Sequence, residues 1–299
     1  MNKTTSLYSD VEREEGIEGI VDLWLHAPAN YREDDPFSAR KDALRYLQSR
    51  TGFSDVELQK AYDGINSQYN YNLHDKKELC QELTLQTAGL LHHVSHDFCE
   101  RLDISAYLRE CAAAGFEMTD ERVKEFSVGP LQTMGISLRS DAEKYGDNEV
   151  EVEPGVFKTF NFYLDAPAAI ALFHKEEPRA VVSFFPKDKT TLEIKQIQGA
   201  RIVTRREKRK KLRYRLSSSG GGCLGTLDWK RFLVSCAEQV GRDLGYSRIS
   251  IQGARNNKWV LDGGLPLERG LEIYDKTAER LGYSQVGIGN WYKSIEKNN

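Results

Sequence analysis

Nowhere in this chain do two cysteines stand three positions apart, and the five present, Cys80, Cys99, Cys111, Cys223 and Cys236, are odd in number and scattered. That pattern disfavours a disulfide framework and a thiolate zinc site, and it leaves reduced thiols. No apolar run approaches the roughly 18 residues a membrane span requires. The basic-then-apolar order of a secretory signal is also missing, so the expectation is a cytoplasmic protein with no membrane partner.

What is present is the composition of a soluble globular protein, 39% hydrophobic and 29% charged. At 299 residues the chain stands at the upper limit of a single core, and two domains are expected. The net charge of -3 conceals an asymmetry: residues 1–150 carry 16 Lys+Arg against 28 Asp+Glu, the remainder 26 against 17. Halves so charged attract each other, and the basic half also suits an anionic ligand such as a phosphorylated cofactor or nucleic acid.

The first 135 or so residues read as helical. Asp35-Pro36 offers a cap and a proline for a first helical position before Phe37 to Arg50, and Ser54 with Glu57 forms a capping-box pattern. A longer helix from about His74 to Leu102 puts Leu83, Leu90 and Val94 on one side. No strand-like alternation is expected here. Composition changes at the turn cluster Tyr145 to Asn148, which places a boundary between a helical N-terminal domain, 1–145, and a second domain, 146–299.

In the second domain "FKTFNFYL", "AAIALF", "RAVVSFF" and "LEIKQIQG" read as successive strands of an antiparallel meander. An amphipathic helix follows, with Trp229, Phe232, Leu233, Cys236, Val240 and Leu244 on one face and Gly245 as its stop. Then come the strand "YSRISIQG", a helix ending at Gly282 and a strand pair or bent strand through "NWYKSI". Helix, Leu-Gly-Tyr-Ser, strand thus occurs twice, at Leu244 to Ser247 and Leu281 to Ser284. The pentapeptide "IQGAR" is also repeated, at Ile197 to Arg201 and Ile251 to Arg255. If the helix between them is a crossover, the two strands are parallel and both tails point the same way, toward the edge where ligands collect in mixed sheets.

Three antiparallel strands, a glycine-containing loop entering a helix, a parallel strand, a helix with a tyrosine and a Leu-Gly-aromatic ending, and a last strand with Trp-Tyr-Lys resemble the GNAT superfamily of N-acetyltransferases. The local match is best from "IYDKTAERLGY" through "WYKSI", and the resemblance covers about residues 155–299. It implies an α+β chain, a helical domain followed by a GNAT-like mixed sheet with flanking helices. It also implies transfer of an acyl group from acetyl-CoA or another acyl-CoA to an amine. In that family the fourth and fifth strands splay and the cosubstrate's arm enters between them. That implies cofactor contacts at Gln198, Gly199 and Ala200 and at Gly253 and Ala254. The family's pyrophosphate loop is matched in spacing by "SSSGGG", with Ser217 replacing its first residue and an insertion of about 15 residues before it; Gly220, Gly221 and Gly222 would supply amides. A flexible linker has the same composition. The family's acid falls on Ala278, and Tyr274 lies one turn earlier on the same face, either a displaced acid or a core residue. Glu193 is the candidate base on the fourth strand, against the ordinary reading of a strand glutamate facing solvent.

"RIVTRREKRKKLRYRL" carries nine Lys/Arg and one Glu between Arg201 and Arg215. It reads either as a hairpin arm for phosphates or an acidic protein partner, or as a loop docking on the acidic half. This arm sustains a second function class, a non-catalytic GNAT-like module contacting nucleic acid or an acidic partner. His92 and His96 stand one helical turn apart beside His93 and Asp97, but a third metal ligand is not evident, and no metal is assigned. Cys223 precedes a helix with His174 as the only candidate base in this half, too little for a nucleophile.

Overall fold

The computed structural model describes residues 37–68, 77–102, 104–107, 124–130, 149–153, 156–161, 164–175, 177–199, 201–208, 211–218, 224, 227–287 and 289–296, with positions 12 and 20. The chain divides into two compact units, Met1–His93 with Pro186–Lys189, and Val94–Phe185 with Thr190–Asn299. No helix among the described residues is long and apolar enough to cross a membrane.

In the first unit α1 (Phe37–Thr51), α2 (Asp55–Gln68) and α3 (Lys77–His92) supply the core. Ala43 and Leu47, Leu58, Ala61 and Ile65, and Leu83, Thr87 and Leu90 are fully buried, at the three- and four-residue spacing of helix faces. α1 stops because Gly52 takes φ 77°, which a side chain disfavours, while its N–H still reaches the Gln48 carbonyl at 2.9 Å. The capping box forms as expected. Ser54 N–H donates to Glu57 Oε2 at 2.7 Å, and Glu57 N–H donates to Ser54 Oγ at 3.2 Å. Burial pushes the Glu57 carboxyl up, but the Ser54 hydrogen bonds and His92 outweigh it, and the group rests below the usual carboxylate range.

The second unit is a mixed sheet of seven strands with helices, an α+β architecture. Its strands are β1 (Phe126–Pro130), β4 (Ala168–His174), β5 (Glu177–Asp188), β6 (Thr191–Gly199), β9 (Arg248–Gln252), β10 (Ser284–Val286) and β11 (Asn290–Ser294), in the order β1-β4-β5-β6-β9-β11-β10. Consecutive residues Ile170 to Leu172 and Val181 to Val182, with Leu192, Ile194, Ile249 and Ile251, are all at most 1% exposed. The centre of the sheet is therefore covered on both faces, one by α4 (Trp229–Asp243). A separate sheet, of order β2-β3-β7-β8, joins β2 (Glu149–Glu153) and β3 (Val156–Asn161) to the hairpin β7 (Arg201–Lys208) and β8 (Lys211–Ser218).

The doubled Leu-Gly-Tyr-Ser is one C-cap used twice. Gly245 and Gly282 take φ 79° and 78°, and Tyr246 and Tyr283 donate to the carbonyls five residues back, Gly241 and Ala278, at 2.9 and 3.0 Å. Both tyrosines are then buried at the start of the next strand.

Three expectations differ from the structure. The region expected to be all helical contains β1, which pairs antiparallel with β4 and so belongs to the mixed sheet. "FKTFN" leaves the meander and pairs with β7 instead, because the basic hairpin offers it a partner. Leu244 is the C-cap of α4 and 37% exposed, one position beyond the end of the helix.

Replacing Ser54 with alanine removes the acceptor for the Glu57 amide and should cost about 1 kcal/mol of stability. Because the folded Glu57 pKa is depressed, its share of stability is present above the ordinary carboxylate range and lost as pH falls through the lowered value. Denaturant titrations of wild type and Ser54→Ala at neutral and acid pH should show the difference narrowing with acid.

Candidate functional site

The two repeated tails belong to neighbouring, co-directional strands. β6 and β9 pair in parallel through Thr191↔Arg248, Leu192↔Ile249, Glu193↔Ser250 and Ile194↔Ile251, and the ladder stops there. Ile251, the first residue of one tail, therefore lies opposite Ile194, three residues before the other tail begins. β6 runs on from Lys195 to Gly199, while β9 ends at Gln252.

Hydrogen bonds on the β9 side explain the stop. Gly253 N–H donates to the Gly289 carbonyl at 2.7 Å, and Ala254 N–H donates to Asp275 Oδ2 at 2.8 Å. Gly253 thereby continues the β9–β11 register, Asn290 lying opposite Gln252, and the next amide due to face β6 is that of Ala254, whose single proton goes to Asp275. A Cβ on Gly253 would stand 2.4 Å from the Gly289 oxygen, so this glycine serves close backbone approach. The chain then turns through Ala254–Asn256 into α5 (Lys258–Leu261). Asn257, 1% exposed, stands beside the parted strand, its Nδ2 donating to the Lys195 carbonyl at 3.4 Å.

Beyond the parting lies a cavity of about 470 Å³, within the range of ligand sites. Ile197, Gln198 and Gly199 form its β6 wall; Leu227, Asp228, Trp229 and Lys230 bring in the start of α4. Arg269, Ile273, Tyr274 and Arg280 come from the segment built of α6 (Leu267–Gly270), a π-turn (Leu271–Asp275) and α7 (Lys276–Arg280). Asp165, just ahead of β4, and Trp259 also line it, as do Leu224, Gly264 and Leu265. Trp259 Nε1–H reaches both Asp165 oxygens, at 2.9 and 3.0 Å.

Burial sets the protonation states. It pushes the Asp165 carboxyl up to about 6, against the pull of the Trp259 hydrogen bond and of Lys195 and Lys258. Burial, with the nearby Asp165 charge, also raises the Tyr274 phenol, while hydrogen bonds with the Ile197 backbone and the Asn257 side chain oppose the rise. Burial lowers the Lys230 ammonium, Glu272 opposing and Arg269 adding to the fall. Arg280 pairs with Asp228 at 3.6 Å. A carboxyl that ionises near neutrality, a phenol that keeps its proton and three basic side chains thus line one cavity, a set able to move a proton and receive an anion.

Of the residues singled out in the sequence, Gln198, Gly199 and Tyr274 line this cavity. Tyr274 does so from a π-turn, whose extra residue per turn shifts it relative to Ala278, itself fully buried. Gly253 and Ala254 lie at the end of β9 with their amides spent as above, outside the lining. Glu193 sits in the paired stretch of β6, 5% exposed, with Ser250 Oγ at 3.5 Å and Lys195 Nζ at 3.6 Å, and it too is outside the lining. Ser217 is a strand residue of β8 opposite Ile202. Ala200, Gly220, Gly221, Gly222 and Cys223 fall outside the described residues. His174 Nε2 lies 3.0 Å from a Glu125 carboxylate oxygen, and His92 Nδ1 lies 3.1 Å from one of Glu57. Sequence reading missed Asp165, Lys230, Trp259, Arg269 and Arg280; an aspartate before Ala-Pro reads as a turn, and nothing local marks the others.

No protein-family model matches the chain, and no curated protein sequence does. Among solved structures it is similar to an aminoglycoside 6'-acetyltransferase type Ii, at 17% identity over 44% of this chain and 71% of that one, TM-score 0.26. It is also similar to the N-acetyltransferase PseH of Campylobacter jejuni, at 10% identity over 44% of this chain and 68% of that one, TM-score 0.23.

Because the folded Asp165 pKa is raised, ionising this group costs stability as pH rises through about 6. Asp165→Asn should therefore melt higher than wild type at alkaline pH, with the gain vanishing once pH falls below the ordinary aspartate range. Calorimetry across that interval checks the sign.

Proposed function

We propose that this chain is an acyl-CoA-dependent N-acyltransferase whose reaction takes place in the cavity at the end of β6. The observation that carries the reading is the parting of β6 and β9 after Ile194 and Ile251, with Tyr274 and Asp165 both lining the cavity beyond. The cleft side of β6 is engaged at Lys195 and Ile197 by Asn257 and Tyr274, which leaves Gln198 and Gly199 for the amide-bearing arm of the cosubstrate. Lys230, Arg269, Arg280 and the start of the fifteen-residue α4 suit its phosphates, through positive charge and the free amides of a helix N-terminus.

Acyl-CoA supplies the thioester carbon and the thiolate leaving group. As the C–N bond forms and the C–S bond breaks, Asp165 accepts the proton shed by the attacking amine. Tyr274 donates one to the departing sulfur. Its phenol is raised and so keeps that proton at neutral pH, and Asp165, titrating at about 6, is ionised there. The acceptor is an amine.

One observation favours the second class, a non-catalytic module: Ser217, the position that matches the start of the family's pyrophosphate loop, is locked in the β7–β8 ladder. Binding and turnover decide between the two.

Acetyl-CoA should raise the melting temperature, and a panel of primary amines should release free thiol from it. Tyr274→Phe should lower kcat on the order of a hundredfold with little change in the KM for acetyl-CoA. The wild-type rate should climb through about pH 6, and Asp165→Asn should abolish that limb. A melting temperature unmoved by millimolar acetyl-CoA would sink the proposal.

A further inference from the structure

The second sheet has two unequal faces. Alternate positions along a strand, and positions directly paired across strands, share a side. The pairs Thr204↔Arg215, Arg206↔Arg213 and Lys208↔Lys211 therefore share one face, and Lys158, opposite Thr204, joins it. Lys158, Arg206, Lys208, Lys211, Arg213 and Arg215 thus occupy three adjacent strands. At ordinary strand spacing and rise they fall within about 10 by 14 Å. One carboxylate residue has its register position among them, Glu153, opposite Val156 at the β2 edge. The other face holds the pairs Val203↔Leu216, Arg205↔Tyr214 and Glu207↔Leu212, with Phe157 opposite Arg205, and is apolar and mixed in sign.

We infer that the cationic face of this sheet binds a nucleic-acid duplex through its phosphate backbone. Six like charges are costly to remove from water without anions beside them, so the face demands solvent or a polyanion. A protein partner would need apolar or aromatic anchors at the centre of the contact, and the apolar positions beside the six are two valines on the β2–β3 side, Val150 opposite Lys158 and Val156 opposite Arg206. A single strand is held mainly by stacking its bases on aromatic residues. The aromatic position on this face, Phe160, pairs with Ile202 at the far end from the cations. A duplex hides its bases and turns outward about one charge per 1.7 Å of axis, which a surface of cations alone can hold. The cations also gather toward the closed end of the hairpin, where Lys208 pairs with Lys211. The inference is independent of the transferase reading.

The test uses the full chain and a labelled DNA duplex of about 20 base pairs, with anisotropy followed across a salt series. Log affinity should fall linearly with log salt at a slope approaching about -5 if all six positions meet phosphates. Arg206→Ala with Arg213→Ala and Arg215→Ala should weaken binding at least tenfold near ~0.1 M salt and flatten the slope by about 2.7. The same three positions changed to lysine should retain binding, and circular dichroism should show each variant folded. Arg201→Ala with Arg205→Ala, on the other face of the same hairpin, should leave binding near wild type. The inference is overturned if duplex binding is absent or indifferent to salt, or if the opposite-face pair weakens it as much as the triple. It is equally overturned if polyglutamate or a single strand of equal length binds more tightly than the duplex.

Discussion

The end of β9 is governed by where two backbone amides send their protons. Gly253 donates to Gly289 on the β11 side, and Ala254, next in turn to face β6, donates to Asp275 instead, so the strand cannot continue beside β6. Asp275 uses its other oxygen to accept from Trp291 Nε1 at 2.9 Å, which ties the end of β9, the π-turn and β11 through one carboxylate. Tyr274 is the residue just before Asp275 in that same π-turn. The device that turns β9 away therefore also delivers the phenol to the space it vacates. Neither the opening nor its tyrosine needs a separate explanation.

The walls of that space are electrostatically unsettled, as reaction sites tend to be. Asp165 is held between burial, which favours its acid, and Trp259 with two lysines, which favour its anion. Lys230 is deprived of water, and the attraction of Glu272 offsets that loss only in part, with Arg269 adding to it. A group in such a balance responds strongly to an incoming charge, because the ligand replaces solvent the protein has already removed. By contrast, burial pushes the Cys99 thiol up to about 12 and raises that of Cys236 as well, which keeps both protonated at neutral pH.

Much of this was legible in the order of residues, and what was not has physical reasons. The capping box at Ser54, the helix from Trp229 and the paired Leu-Gly-Tyr-Ser caps are local signals, each decided within a few positions, and the parallel run of the two IQGAR strands follows from the crossover helix between them. The offset of the two tails was not readable, because register is set by which side chains meet across strands rather than by identity of letters. Asp165 was invisible for a related reason: it reaches the cavity from 94 positions before Trp259, and only the closed fold makes it a buried acid. β1 escaped notice because five residues with a glycine and a proline carry no alternation strong enough to read. The shift of Tyr274 depends on a π-turn, for which the sequence has no dependable mark.

The hairpin β7–β8 leaves the cavity wall at Gly199 and the chain returns to it at Leu224, so the second sheet is spliced into the rim by both of its ends. A ligand held on the hairpin is therefore joined through the chain to two segments that shape the cavity. Thermodynamic reciprocity then fixes the relation between them: whatever factor occupancy of the sheet applies to affinity in the cavity, occupancy of the cavity applies to the sheet.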